Sequence, residues 1–262
     1  MNRVVIIGAC RTPGGKFGGT LKSIPATDLG AAVIKEAVVR SGIPGEKIEE
    51  VIMGNGWQAG VGPNPARIAA WCSEVARNAL ALTINKRCGS GLEAVMLLAD
   101  RIRLGERKAG IAGGMESTSS VPYVLPEARW GHTMGEKKLP DLLHRDGFFC
   151  PLADMLMGET AEILAGDYSI SREEQDRFAL ESHRKAVRAV DSGCFKEEIV
   201  PIKVKQKKEE ILFDTDEIPR RETSLEKLSR LPPVFREKGT VTAGNNSALC
   251  DTDSAVLLAD KE

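Results

Sequence analysis

Through its first 115 or so residues the chain alternates short apolar runs with amphipathic helical patterns, and this alternation restricts its fold more than any other feature. Val4-Val5-Ile6-Ile7-Gly8 is continuous and β-branched, as a buried strand requires. Residues 25–41 read as a helix, with Leu29, Ala32, Val33 and Val38 on one face and Gly42 at its end. Residues 48–54 read as a second strand, and Asn64-Pro65 supply the cap and first-turn proline of a helix through Trp71. A short strand at 82–85, a helix at 91–105 and a small, apolar strand at 109–113 complete the series. Strands and helices in this order build an α/β core with a largely parallel sheet covered on both faces.

The pattern changes near Ser117. From there to about Lys238 charge, proline and aromatic residues increase, and the signals are mainly helical. Residues 152–167 read as one helix. Ser171-Arg172-Glu173-Glu174 is a capping box opening another that runs to about Gly193. Residues 199–204 and 211–213 look like strands around the charged turn at 206–210, and strand signals return at 240–243 and 255–259. The expected organisation is a core of residues 1–117 and 239–262 interrupted by an inserted domain of residues 118–238.

Composition excludes several classes. A formal net charge of −1 over 262 residues leaves no basic stripe for nucleic acid. No apolar run reaches the roughly 18 residues that span a bilayer, and the N-terminal apolar stretch is too short for a signal peptide. A cytoplasmic protein is expected. Six cysteines without a CxxC pair read as free thiols, mostly inert packing residues. His132, His144 and His183 show no metal-ligand spacing, so no metal is expected.

Chemistry concentrates at Asn85-Lys86-Arg87-Cys88-Gly89-Ser90-Gly91. A strand ends, a thiol follows, two glycines allow a sharp turn, and a helix begins. A cysteine there faces unpaired backbone N–H groups and the positive end of the helix dipole, which favour thiolate; Lys86 and Arg87 would add to this if they point inward. The same pattern also suits a small residue filling a tight corner. Gly113-Gly114-Met115-Glu116-Ser117 is a second tight segment, in which Glu116 is either a general base or a cap and salt-bridge partner. Residues 239–248, rich in glycine and hydroxyls, are a third.

Together these stretches resemble the thiolase family of acyl-CoA C-acyltransferases. The nucleophile motif stands at residues 85–91. Arg11-Thr12-Pro13 with Gly15-Lys16-Phe17-Gly18-Gly19 resembles the N-terminal signature. Residues 113–117 and 239–245 match in the expected order, and residues 171–178 and 195–201 resemble the family's loop domain. The resemblance implies a thiolase-like N-terminal half with a mixed, mainly parallel sheet and an inserted α+β loop domain. It implies that Cys88 is acylated by acetyl-CoA or a 3-ketoacyl-CoA, in condensation or thiolytic cleavage. Coenzyme A thioesters would be substrates, with no other cofactor. Arg220 would lie near the phosphorylated nucleotide end, Phe235 and Met157 would line the pantetheine tunnel, Ser247 would bond a pantetheine amide, and Ala243 would be a further CoA-binding residue.

Departures are informative. Thiolases continue into a second α/β domain carrying Asn-Glu-Ala-Phe, Gly-His-Pro and Cys-x-Gly-Gly segments, none of which occurs here. The resemblance therefore implies a homo-oligomer, a separate chain carrying that domain, or both; the segment around residues 122–134 resembles the family's tetramer-contact loop. Leu92, Val95, Met96 and Ala99 would lose part of their cover without it. Arg87 and Glu93 replace a usually apolar and a usually basic residue. Ala248, Cys250, Thr252 and Asp253 stand where Gly, Asn, Gly and a small residue are usual. Leu156 replaces the His frequent in short-chain members. A non-catalytic, thiolase-derived CoA-binding or scaffold protein is the alternative.

Overall fold

A computed structural model describes residues 2–131, 134–206 and 209–261. His132 and the Lys207-Lys208 tip of the expected turn lie outside the described residues. The elements begin with β1 (Val4–Arg11), β2 (Gly15–Lys16), α1 (Ala26–Ser41), β3 (Glu50–Gly54), α2 (Pro65–Cys72), β4 (Leu80–Ile84), α3 (Ser90–Arg103) and β5 (Ala109–Ser117). They continue with β6 (Phe149–Cys150), β7 (Met155–Leu156), α4 (Met157–Asp167), α5 (Arg172–Asp191), β8 (Ile202–Gln206), β9 (Glu209–Phe213), α6 (Leu225–Ser229) and β10 (Cys250–Asp260).

The chain forms two compact units. The first holds residues 1–121, 195–217 and 249–262, and the second holds residues 122–194 and 218–248. These bounds differ from the expected ranges at three places, the smallest being residues 118–121, which stay with the first unit. Residues 195–217 join the first unit because the β8–β9 hairpin buries Ile202, Val204 and Phe213 against Leu21 and Leu29. Arg11 also ties this stretch down, through Glu198 and Asp216. Residues 239–248 join the second, for a reason given below.

In the first unit the sheet runs β1-β10-β5-β3-β4, with β2 also paired to β10. Both partners of β3 are parallel to it, whereas β10 is antiparallel to β1, β2 and β5. All strands but β10 therefore point one way. Period-two alternation assigns the faces. Val51, Met53, Ile111, Met115, Ala255 and Leu257 pack with α1 and α2. Ile52, Ala112 and Leu258 pack with Ala94, Leu98 and Ile102 of α3. Helix ends follow the local chemistry: Gly42 closes α1 in the left-handed conformation (φ 70°), and the Asn64 side chain accepts from Arg67 N at 3.1 Å to open α2.

In the second unit the Ser171 capping box forms as expected, its hydroxyl and Glu174 exchanging bonds with backbone N–H groups. Two expectations are corrected. The helix expected over 152–167 starts only at Met157, because residues 155–156 pair with 149–150 as a short ladder and Asp154 takes φ 51°. Residues 240–243 form no strand; a single bridge joins Thr242 to Pro233. Their backbone is bonded elsewhere: Glu162 of α4, itself buried, accepts from Thr240 N at 2.8 Å, Thr240 Oγ1 at 3.0 Å and Val241 N at 2.8 Å. Burial pushes the Glu162 carboxyl up, but these bonds outweigh it and hold it below its ordinary value. Among the described residues, no helix is long and apolar enough to cross a membrane.

Candidate active site

Cys88 lies on the turn between β4 and α3, two residues before the helix begins, and is exposed. The turn is a hydrogen-bonded knot. Lys86 N donates to Ser90 Oγ at 2.7 Å, Ser90 Oγ donates to Arg87 O at 2.6 Å, and Gly89 N donates to Lys86 O at 3.1 Å. The residue in the left-handed conformation is Arg87 (φ 52°), not one of the two glycines. Close approach explains a different glycine: a Cβ on Gly54 would stand 2.5 Å from Ser90 Cβ, so the end of β3 and the start of α3 meet only because it has none.

The two basic neighbours do not turn toward the thiol. Lys86 Nζ pairs with Glu93 Oε2 at 2.5 Å, which gives a use to the acidic residue at position 93. Arg87 Nη1 donates to Gly56 O at 2.9 Å, and its guanidinium lies 5.2 Å from the Trp57 ring centre. Asn85 Nδ2 reaches the same Gly56 carbonyl at 3.1 Å.

Glu116 takes the cap role of the two open to it. Its carboxylate accepts from Asn55 Nδ2 at 2.8 Å, Gly56 N at 2.7 Å and Trp57 N at 3.2 Å, fixing the turn that follows β3. Burial pushes its carboxyl above the ordinary range, against the Gly56 and Trp57 bonds and the charge of Arg87. Behind it lies Asp253, fully buried, whose Oδ1 accepts from Glu116 N at 2.9 Å and whose Oδ2 has no partner. Burial pushes the Asp253 carboxyl well above its usual range, with Glu116 and Asp251 adding to the effect.

The other cysteines divide by environment. Cys10 is buried, donates to Val33 O at 3.2 Å, and has its thiol pushed up to about 11 by burial; it is a packing residue. Cys72 and Cys194 are exposed; Cys72 ends α2, and Cys194 follows α5 on a turn where its Sγ lies 3.2 Å from Ser192 Oγ. Among the described residues, no cluster of His, Cys, Asp or Glu could hold a metal ion.

The second unit contains the other candidate residues. The Phe235 ring lies on Gly158, where a Cβ would stand 2.1 Å from the ring, and so sits beside Met157 at the start of α4. Ala243 and Ser247 are exposed on the segment that Glu162 and Asn245 hold; Asn245 Oδ1 accepts from Thr242 N at 2.7 Å, and its amide donates to Asp176 at 2.9 Å. Arg220 lines a cavity of about 500 Å³ with His183, Arg184, Arg188, Arg221 and Leu180. Arg220 N donates to His183 Nδ1 at 3.2 Å. Burial and the Arg220 charge both push that imidazole down. Glu181 also lines the pocket and pairs with Arg188 at 3.6 Å, and Arg221 pairs with Asp191 at 2.7 Å, so Arg184 and Arg220 are the arginines of the lining for which no ion pair is seen among the described residues. Glu162 was missed from sequence, because nothing local to residue 162 announces a partner 78 positions away.

Residues 4–262 match the model of the thiolase N-terminal domain. The acetyl-CoA acetyltransferase of Pseudomonas aeruginosa is 49% identical over 259 residues, covering 98% of this chain and 66% of the relative. That of Escherichia coli K12 is 45% identical over 262 residues, covering 100% and 66%. The crystal structure of the Bacillus anthracis acetyl-CoA acetyltransferase superposes with a TM-score of 0.96 at 41% identity, covering 100% of this chain and 66% of that one. The chain thus spans about two thirds of the length of the relatives it matches.

Proposed function

Since the chain belongs to the thiolase family through its N-terminal domain, we propose that it is the acyl-accepting part of an acyl-CoA C-acyltransferase with Cys88 as the nucleophile. The Cys88 sulfur attacks the thioester carbonyl carbon, a new C–S bond forms, and the bond to the coenzyme A sulfur breaks. CoA leaves with the proton that the Cys88 thiol gave up. Acylation of Cys88 is the half-reaction that this chain's own residues account for. The observation carrying the reading is the exposure of Cys88 on a turn whose backbone is bonded in place, in contrast to the buried, packed Cys10.

The second unit, on this reading, binds coenzyme A. The arginine-lined cavity beside Arg220 takes the phosphorylated nucleotide end, Met157 and Phe235 flank the pantetheine, and Ala243 and Ser247 line its path. No cofactor beyond the CoA thioester takes part. Leu92 and Met96, four residues apart on α3, are 68% and 53% exposed. We infer that a further copy, or a polypeptide equivalent to the rest of the relatives' length, covers them. Light scattering across a dilution series reads the first case as concentration-dependent mass.

Mass spectrometry after incubation with acetyl-CoA tests the chemistry. An acetyl adduct is expected on the Cys88 peptide and is lost from sulfur in Cys88→Ser. Labelling at another cysteine, or no adduct anywhere, refutes the reading and leaves the non-catalytic CoA-binding alternative.

A further inference from the structure

Arg87 stands where the family resemblance leads one to expect an apolar side chain, and its environment gives it work. Its backbone occupies the left-handed region (φ 52°), a conformation that disfavours non-glycine residues, so something must hold it there. What holds it is the neighbouring turn at residues 55–57. Gly56 O accepts from both Arg87 Nη1 and Asn85 Nδ2, while Asn85 Oδ1 accepts from Arg87 N at 3.0 Å. The Trp57 ring lies beneath the guanidinium. Glu116 holds the same turn through Asn55, Gly56 and Trp57.

We propose that Arg87 is a positioning residue: with Glu116 it clamps the 55–57 turn between them and so locks the loop that presents Cys88 to a thioester. The proposal rests on the reading of Cys88 as acyl acceptor. An apolar side chain at 87 would leave Gly56 O with one donor fewer and the Trp57 face uncovered. The planar guanidinium matters as well as the charge, since only it stacks on a ring while donating in its plane. Freed from the clamp, the loop frays: a small electrophile reaches Cys88 more easily, while acyl transfer, which needs the sulfur held at a fixed angle to the carbonyl, slows.

The test reads both quantities on the full chain. Limited iodoacetamide labelling is measured peptide by peptide, with exposed Cys72 as internal reference and buried Cys10 as the reporter of unfolding. In parallel, the rate of Cys88 acetylation by acetyl-CoA is followed. Arg87→Leu and Arg87→Lys are each expected to raise the Cys88-to-Cys72 labelling ratio about fivefold, the size expected for one hydrogen bond and one stacked cation, and to slow acetylation about tenfold. A ratio unchanged in Arg87→Leu overturns the proposal, and so does wild-type behaviour in Arg87→Lys, which would reduce the effect to charge. If these variants label Cys10, the milder Trp57→Leu decides: it keeps both Gly56 bonds and should raise the ratio about twofold, and an unchanged ratio refutes the clamp. Absence of acetylation in the wild type defeats the proposed function, while the labelling ratio still decides on the clamp.

Discussion

Glu162 offers the sharpest test of how the second unit holds its ligand-facing segment. Its carboxylate is the shared acceptor for two backbone N–H groups and one hydroxyl from Thr240 and Val241, at 2.8–3.0 Å, and Val241 is buried. A hydrogen bond to a charged group is worth about 1.5–3 kcal/mol, and a buried donor left alone costs a similar amount. Glu162→Gln keeps one oxygen but turns an NH₂ toward a donor, so a loss of about 2 kcal/mol is expected; Glu162→Ala, which strands all three donors, should lose about 4 kcal/mol. Hydrogen exchange followed by mass spectrometry reads this locally. Since 1.36 kcal/mol is a factor of ten, the 239–246 peptide should exchange roughly thirtyfold faster in Glu162→Gln at neutral pH. The pH dependence adds a second check. A carboxyl held below its ordinary value contributes fully above the unfolded pKa of about 4.3, and the contribution disappears as pH falls toward the lower folded value. The gap between wild type and variant in protection, corrected for intrinsic exchange, should therefore close in acid. A change below about threefold at neutral pH, or a gap that persists in acid, would show that the segment is held by packing instead.

Three further outcomes are expected. Asp253→Asn should stabilise the first unit by about 1–3 kcal/mol in urea unfolding above the ordinary carboxylate range, because burial penalises the charged form of this acid. For the same reason the Asp253 contribution to wild-type stability should fall as pH rises above the unfolded aspartate value of about 3.9, and that slope should flatten in the variant. Arg220→Ala should weaken coenzyme A by about tenfold in calorimetry and dephospho-coenzyme A by less, if the cavity takes the phosphate-bearing end. Gly158→Ala forces a methyl into the space of the Phe235 ring and should cost about 1–3 kcal/mol in thermal unfolding while lowering coenzyme A affinity; an unchanged Tm would mean the ring swings aside freely.

What could be read in advance followed locality. The strands and helices of the first 115 residues lie within a few residues of where periodicity puts them, helped by local caps: Gly42 after α1 and Asn64 before α2; Ser171 does the same for α5 in the second unit. The reversed direction of β10 was not legible, because its apolar run reads alike in either orientation. The stretch at 240–243 has the composition of a strand, yet its donors are taken by a carboxylate on α4. The helix expected from 152 begins five residues late because a two-residue ladder competes for its start. At the site, sequence singled out Cys88 and Glu116 but could not assign Arg87, whose partners lie 31 positions away on another turn.

The position of β10 has a consequence for how this protein is made. A strand drawn from residues 250–260 fills the slot between β1 and β5, so β1 gains a ladder only when residues near Asp260 are available. At about 5–20 residues per second, ribosomes leave β1 waiting roughly 12–50 s for its neighbour. During that interval the nascent first unit has only the β5-β3-β4 portion of its sheet to assemble, with the β5 edge unfilled and in need of shielding. Ribosome-bound intermediates stalled before residue 250 should bind general chaperones more strongly than intermediates in which residues 250–260 have cleared the ribosome.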